Sequence, residues 1–544
     1  MTTTTTQVRT AALDSEHVGD IRGALGTIRL DDSSPRRGLS ASLRTLLAIV
    51  GPGLIVMVGD NDAGAFATYG QAGQNYGTRL LWTLLLLVPV LYVNQEMVLR
   101  LGAVTGVGHA RLILERFGRF WGAFSVIDLF LLNALTIITE FIGITLAAGY
   151  LGLPKVPSVL LAAAVIIGSA FTGSFRRFER MAMAFCGASL LLVPVYFLAH
   201  PAASQMARDF VIPQLPGGSG HLSTVMLLII GIVGTTVAPW QLFFQQSYVI
   251  DKRITPRFMK YEKADLWIGI VIVVIGAAAL MGATTAAFAG TRAFGRFTDA
   301  AGLAQGLTAY SGRLTGVLFA IALLDASIIG AFAVSLSTAY AIGDVFGLRH
   351  SLHRGVKGAK GFYAVYAGLV AASAAVVLLP GSPLGLITEG VQVLAGVLLP
   401  SATVFLLLLC NDRAVLGPWV NGRATNVFTS VVVAVLVTLS VVLTASVLFP
   451  AISAGQIVTI LACCAGASLL AGGFVLARRM RPGSVASLPV DRSGRSSWRM
   501  PPLTLLDRPV MSAGRKIGMS ALRLYLAVAT ILVVVRLVQL ATGH

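Results

Sequence analysis

A hydrophobic segment that breaks in its middle constrains this chain most. It runs from about residue 46 to residue 73, long enough to cross a bilayer, and the letters DNDAG at 60–64 interrupt it. Asp60 and Asp62 are costly at membrane depth unless they face a cavity, a cation or a partner. Gly64 lets the backbone unwind, and the freed carbonyls can line a polar site. A broken helix with an acid near the bilayer midplane is typical of an ion site in a secondary transporter.

The composition identifies a polytopic membrane protein. Of the 544 residues, 56% are hydrophobic and only 12% are charged, and the mean hydropathy is +0.81. These values predict an all-α membrane protein, because lipid-spanning backbone must satisfy its own hydrogen bonds. We expect twelve or thirteen transmembrane helices in a multi-pass protein of the plasma (inner) membrane.

The distribution of positive charge predicts the topology. The formal net charge is +18, but Lys and Arg concentrate in the loops that share a side with the N-terminus. By the positive-inside rule that side is the cytoplasm. The basic charge therefore indicates membrane orientation and lipid-bilayer contact, and we expect no nucleic-acid partner.

Hydropathy also divides the chain into segments. We expect 1–45 to be a disordered cytoplasmic tail and 519–544 a C-terminal hydrophobic helix, in which 520–541 either spans the membrane, which we favour, or lies on its surface. Between them we predict repeat 1 at 46–200 (helices 1–5), repeat 2 at 201–410 (helices 6–10), helices 11 and 12 at 411–477, and a basic cytoplasmic linker at 478–518.

A second interruption falls in the predicted helix 6. Pro239 cannot continue the hydrogen-bond ladder, and it moves Ala238 away from helical angles. Alone, this pattern fits a simple kink. Five helices after the first break, it indicates a 5+5 inverted repeat with a binding site between the two interruptions.

Several short motifs, in order, resemble the natural-resistance-associated macrophage protein (Nramp) family of divalent-metal transporters. The resemblance implies the leucine-transporter fold, with helices 1 and 6 broken. The matching motifs are GPG at 51–53, DAGAFAT at 62–68, AGQNYGTRLLW at 72–82, ITEFIG at 138–143, RRFERMAM at 176–183, GTTVAPWQLFFQQS at 234–247 and NDRAVLGPWVNGRATNV at 411–427.

The resemblance implies a set of metal-site positions. Asp62 stands at the family's metal-binding aspartate, and Glu140 keeps an acid on helix 3. Thr235 falls where a backbone carbonyl contacts the metal, and it adds a hydroxyl. Two ligand positions differ, because Ala65 replaces an asparagine and Ala238 replaces a methionine.

The positions that the family links to protons differ as well. Trp240 and Gln245 stand where the family has two helix 6 histidines, and Ile137 replaces a helix 3 aspartate. None of the seven histidines falls inside a confidently predicted span. We therefore expect transport without proton coupling.

These substitutions predict that the transported ion is a hard metal cation rather than a softer transition metal. A thioether favours softer transition metals, so its loss removes one reason to prefer them. The remaining ligands are oxygens in a widened site, which suits Mg²⁺ because that ion keeps several of its waters. The departures resemble the Nramp-related magnesium transporters, which implies import of Mg²⁺ and of Mn²⁺.

Other polar residues keep two interpretations each. Asp60 either adds negative potential or caps the break, and Glu140 contacts the ion's hydration shell or pairs with a neighbouring helix. Asn133, on the same face of helix 3 as Glu140, is assigned to a possible ion path, and Asp325 either belongs to an ion path or pairs between helices. Trp240 fills volume or gates the pathway.

Three alternatives stay open. The first is a proton-coupled Mn²⁺/Fe²⁺ importer, and the second is a Na⁺-coupled solute symporter on the same fold. The third is a membrane enzyme or receptor, but the chain has no nucleophile elbow, HExxH or P-loop motif. We expect no enzymatic activity, no cofactor and no required protein partner.

Overall fold

The computed structural model describes most of the chain. Its described residues are 14–216, 222–380, 384–449, 452–480, 491–507, 509, 518–525, 527–528 and 531. Most of the predicted C-terminal helix and part of the predicted basic linker therefore lie outside the described residues.

Helices make up nearly all of the first half. They are α1 Leu39–Ile49, α2 Pro52–Val58, α3 Ala63–Tyr76, α4 Trp82–Thr105, α5 His109–Phe117, α6 Arg119–Tyr150, α7 Lys155–Ala170, α8 Phe175–Ala188, α9 Leu192–Ala199 and α10 Ala203–Val211.

The second half is helical as well. Its helices are α11 Leu222–Thr236, α12 Pro239–Asp251, α13 Met259–Phe288, α14 Ala300–Ser311, α15 Arg313–Phe346, α16 Lys360–Leu378, α17 Leu384–Cys410, α18 Arg413–Leu416, α19 Arg423–Leu448 and α20 Ala454–Met480. Short 3₁₀ turns lie at Ser15–His17, Gly77–Leu80, Ser189–Leu191, Pro256–Phe258, Val356–Gly358, Gly417–Trp419 and Leu503–Leu505.

The first predicted break is confirmed, with one correction. The helix stops at Val58 and resumes at Ala63, and Asp62 is the extended N-cap of α3. Gly64 is not part of the break, because it lies in the first turn of α3. An aspartate N-cap satisfies a backbone amide that would otherwise lack a partner, and so it sets the point where the helix restarts.

The second predicted break is also present. α11 ends at Thr236, Ala238 is extended with φ −84° and ψ 142°, and Pro239 begins α12. Proline suits the first position of a helix, because the amide it lacks would have no intrahelical partner there. The chain is therefore interrupted, rather than only kinked, at Pro239.

Both breaks lie inside the helical bundle. α13 packs against α2 and α3, while α15 packs along α6 and against α12. Every residue of α2 and α12 is buried. The two interrupted helices are thus enclosed by intact helices on several sides.

The number of spans differs from the expected twelve or thirteen. Within the described residues, nine helices are long and apolar enough to cross a membrane, or up to eleven if each of two bent pairs is one span. Broken and short helices lower the number; α7, for example, has 16 residues. The segment boundaries predicted at 200 and 410 stay predictions, and α9 and α17 end at Ala199 and Cys410.

The expectation of a disordered tail over 1–45 is wrong for residues 14–45. A hairpin pairs β1 (Ile21–Arg22) with β2 (Thr27–Ile28), and Ile21 and Ile28 are buried while Arg22 and Thr27 are more exposed. Residues 14–34, the N-terminal segment, lie against the end of α12 and the start of α8. We call this end of the bundle the N-terminal face. Its bonds go to arginines distant in sequence, which local sequence pattern does not reveal.

Candidate ion-binding site

Asp62 and Glu140 form the centre of the candidate site. Glu140 Oε2 accepts a hydrogen bond from the Ala63 amide at 3.1 Å, and Asp62 Oδ1 accepts one from Ala65 at 2.8 Å. The two carboxyl groups lie close enough to interact directly. Glu140 is fully buried and Asp62 is 6% exposed. The predicted pair of acids is therefore brought together at the first break.

Gly330 on α15 makes room for this pair. A Cβ there would lie 2.9 Å from Glu140 Oε2 and 3.0 Å from Asp62 Cβ. Such contacts are closer than packed carbon and oxygen atoms normally approach. The missing side chain at Gly330 thus lets α15 close over both carboxylates.

The two acids have no protein cation beside them. Within the described residues, neither Asp62 nor Glu140 forms an ion pair with Lys or Arg, and Glu140 Oε1 has no hydrogen-bond partner. Buried charges in proteins are normally paired or bound to a metal. The arrangement therefore suits a cation that comes from outside the protein.

Asp60, unlike Asp62, bonds to a side chain on α12. Its Oδ1 accepts a hydrogen bond from the Gln241 side chain, and Gln95 Nε2 donates to Gln241 Oε1 at 2.9 Å. Asp60 Oδ2 has no partner in the described part of the chain. Asp60 therefore ties the first break to α12 and keeps one oxygen available.

Thr235 and Thr236 stand at the end of α11. Tyr69 on α3 and Thr236 share a hydrogen bond of 2.7 Å between their hydroxyl oxygens. The Thr235 hydroxyl is buried and finds no partner among described residues. The carbonyl end of a helix is negatively polarised, so the end of α11 favours a cation.

Small residues line both breaks where the family resemblance implies ligands. Ala65 is fully buried, and Ala238 is 8% exposed. Trp240 lies beside Gly59, where a Cβ would lie 3.5 Å from the indole. The Trp240 carbonyl accepts a hydrogen bond from Ser337 at 2.9 Å. Trp240 thus fills volume next to the first break.

Two residues assigned to a possible ion path make contacts elsewhere. Asn133 Nδ2 donates to Thr338 Oγ1 on α15 at 2.8 Å. Asp325 Oδ2 accepts a hydrogen bond from Ser189 at 3.2 Å. Both are contacts between separate helical segments, which for Asp325 was one of the two interpretations that the sequence left open.

Acidic and histidine side chains do not form a larger cluster at the breaks. In the described ranges, no group of three or more His, Cys, Asp or Glu is placed to hold a metal ion.

A second group of buried acids lies at the N-terminal face. Lys252 Nζ contacts Glu179 Oε1 at 2.7 Å and donates to the Ile49 and Val50 carbonyls at 2.6 and 2.8 Å. Asp265 accepts the amide of Gly53 at 2.7 Å, which caps α2. Within this group, Glu179 has a protein cation as its partner.

Sequence reasoning missed Gln241, Gln95 and Gly330. Gln241 carried a usable signal, because it follows Pro239 by two residues in an apolar helix. Gly330 carried none, since its role depends on three helices meeting.

The architecture and the two breaks define a multi-pass membrane transporter. Residues 53–446 match the family described as "Natural resistance-associated macrophage protein-like". The chain belongs to this Nramp family, and it is a divalent metal cation transporter of that type.

Named relatives agree with this assignment. The divalent metal cation transporter MntH of Deinococcus radiodurans is 29% identical over 422 residues, covering 73% of this chain and 89% of the relative. MntH of Burkholderia ambifaria is 30% identical over 340 residues, covering 57% and 71%. The solved Eremococcus coleocola manganese transporter, bound to an aromatic bis-isothiourea substituted compound, matches with a TM-score of 0.64 at 21% identity, covering 82% of this chain and 98% of that one. That structural likeness confirms the predicted leucine-transporter fold.

Proposed function

We propose that this protein imports Mg²⁺ and Mn²⁺ across the plasma membrane as partly hydrated ions, without proton coupling. The observation that carries this proposal is the Asp62–Glu140 pair, buried and without a protein cation beside it. A divalent cation would neutralise both carboxylates at once. Removal of such a cation would leave two like charges facing each other, which is costly at low dielectric.

Asp62 is the main ligand in this proposal. One of its oxygens is occupied by the Ala65 amide, which leaves the other for the ion. Glu140 Oε1 and the Thr235 hydroxyl, both without described partners, would contact the ion or its waters. Asp60 would add negative potential through its second oxygen.

The donor set supports a hard ion. Every candidate ligand named above is an oxygen, and Ala238 and Gln245 occupy the positions where the resemblance implies a thioether and an imidazole. Oxygen ligands suit Mg²⁺ and Mn²⁺, whereas thioether and imidazole suit softer metals. The room left by Ala65 and Ala238 would hold ion-bound waters.

The direction of transport follows from charge placement. The N-terminal face would lie in the cytoplasm, because the basic loops collect there. An inside-negative potential of about 100 mV would favour entry of a divalent ion by about 4.6 kcal/mol, twice the single-charge value. Import would need no second ion as a driving force.

The described histidines offer no imidazole relay for protons at the site. His109 is buried at the start of α5, where its Nδ1 contacts Gln246 Oε1 at 2.9 Å rather than either break. Ile137, in place of the aspartate implied by the resemblance, is a buried apolar residue.

The second candidate is a proton-coupled Mn²⁺ importer. It is favoured by the relatives, whose names specify divalent metal cations and, for the solved structure, manganese. Glu140 would then be the proton-carrying acid.

Uptake into proteoliposomes under an inside-negative potential separates the two. Internal Mg²⁺, Mn²⁺ and pH are recorded together, with Asp62→Ala as the inactive control. We expect Mg²⁺ entry without acidification, lost in Asp62→Ala. Entry of Mn²⁺ alone with acidification contradicts the proposal. A matched variant, Ala238→Met, should raise the uptake of Mn²⁺ relative to that of Mg²⁺.

A further inference from the structure

The N-terminal segment (residues 14–34) contacts four separate parts of the N-terminal face. Asp14, 3% exposed, binds Arg354 in the loop after α15 through Nε and Nη2, at 3.0 and 2.9 Å. The same carboxylate accepts the His350 amide at 3.0 Å. This end of the segment is therefore fixed to the end of α15.

A second set of bonds goes to the end of α12. Arg253 donates to the Glu16 carbonyl at 2.7 Å and to the Asp20 carbonyl at 3.1 Å. Arg253 has φ +67°, in the left-handed region that non-glycine residues rarely adopt. The residue with this unusual backbone angle is therefore also the one whose side chain bonds to the segment.

The third set goes to α8. Arg176 donates to the Gly23 carbonyl at 3.1 Å, and Arg180 donates to the Ala24 carbonyl at 3.0 Å. The hairpin also lies flat on α1, since a Cβ at Gly26 would lie 2.9 Å from Ala48 Cβ. One short segment thus joins α1, α8, the end of α12 and the loop after α15.

These elements cannot all stay together during transport. To release an ion at the N-terminal face, the halves of the broken helices on that side must separate from the helices around them, by rocking or hinge motion. α1 leads into α2, which ends at the first break, and α12 begins at the second break, whereas α8 and α15 belong to neither interrupted helix. A segment bonded to both groups opposes that separation.

The segment is built so that it can detach. It joins α1 through residues 35–38, which are exposed apart from Arg36, and a Cβ at Gly38, where φ is +86°, would touch no atom. Several of its bonds to the bundle run from guanidinium groups to backbone carbonyls that are partly buried or exposed, and water can replace such bonds. Its release would leave the helices themselves intact.

We propose that the N-terminal segment is a latch that holds the N-terminal face closed and must release before the ion can leave on that side. The proposal rests on alternating access by a transporter of this family and not on the identity of the ion.

Ser247 offers a reporter for the latch. It is 5% exposed on α12 and lines a small cavity with His17, Tyr340, Asp344 and His350. Since His17 belongs to the segment, release of the latch opens this cavity. Ser247→Cys is nearly isosteric, and the background carries Cys463→Ser and Cys464→Ser, because these cysteines are at least partly exposed.

The experiment measures how fast a charged methanethiosulfonate reagent labels this cysteine in the purified full-length protein. We expect Asp14→Ala to speed labelling about tenfold. Arg180→Gln, which removes one bond at the other end of the segment, should speed it less. Asp31→Ala is the matched control, because it removes the same charge from the same segment but its only ion pair is with exposed Arg29.

Equal labelling rates in Asp14→Ala, Arg180→Gln and the parent overturn the latch. So does an equal acceleration by Asp31→Ala, which would indicate a nonspecific charge effect. Because Arg180→Gln leaves every buried acid with its partner, it remains informative if Asp14→Ala does not fold. The readout involves no transported ion, so its outcome is independent of the choice between Mg²⁺ and Mn²⁺.

Discussion

Two groups of buried acids among the described residues differ in their partners. At the first break, Asp62 and Glu140 face each other without a protein cation among the described residues. At the N-terminal face, Glu179 is equally buried but binds Lys252 at 2.7 Å. The comparison teaches that burial alone does not mark a functional acid. At the first break the lack of a protein cation is a second observation, because an ion that arrives and leaves can then balance the charge.

The largest effect is expected from breaking the paired group. Lys252→Met leaves Glu179 as an uncompensated buried charge, which should cost about 3–5 kcal/mol of stability. Thermal unfolding in detergent measures the loss, and Lys357→Met, at an exposed position, is the control. Equal melting temperatures for the two variants would show that Lys252 does not balance Glu179.

A substitution in the Asp62–Glu140 pair should lower ion uptake and leave the stability of the fold largely unchanged. Asp62→Asn keeps the helix cap but removes one of two like charges, so the fold should survive while ion uptake falls about 100-fold, the upper end of the range for disturbed metal sites. Uptake and melting temperature are measured on the same preparation. A large fall in melting temperature would contradict this and would show that Asp62 mainly stabilises the fold.

A smaller effect is expected when the pair is displaced without a change in charge. Gly330→Ala places a methyl group 2.9 Å from Glu140 Oε2, which should lower uptake about tenfold by moving one ligand. Gly149→Ala, whose Cβ would meet no atom within 4 Å, is the control. If Gly330→Ala and Gly149→Ala take up the ion equally fast, transport does not depend on the exact positions of the Asp62 and Glu140 carboxylates.

The smallest effect concerns pH at the N-terminal face. Burial opposes charge on His350 most strongly, but the hydrogen bond and charge of Asp344 raise the pKa of His350 to about 9, above the ordinary 6.5. A raised pKa means that the stabilisation is complete below pH 6.5 and is lost as the pH rises through about 9. His350→Gln should therefore lower the melting temperature at pH 6 more than at pH 9.5. If the difference in melting temperature between His350→Gln and the parent is as large at pH 9.5 as at pH 6, the charge on His350 does not stabilise the fold.

The sequence predicted both helix breaks because proline and capping aspartate act locally. Pro239 and Asp62 each determine the backbone of their own neighbourhood, whichever helices surround them. Gly64 was assigned to the break wrongly, since the capping bond of Asp62 already restarts the helix at Ala63.

Contacts between distant segments could not be predicted in the same way. Gly330 matters only because α3, α6 and α15 meet there. The tail over 14–45 looked disordered from its polar composition, yet its carbonyls and Asp14 find arginines more than 140 residues away. The assignment of Asp62 and Glu140 to a metal site likewise came from the family resemblance, and their closeness to each other came from the structure.

The contacts of Asp14 and its segment also cover positive charge on the N-terminal face. A protease cut or a gene truncation that removes the chain up to residue 38 would leave Arg176, Arg253 and Arg354 on one face without their acceptors. That face would become a polycation, with affinity for anionic lipid headgroups and for heparin. Retention on a heparin column would therefore separate a shortened protein from the intact one.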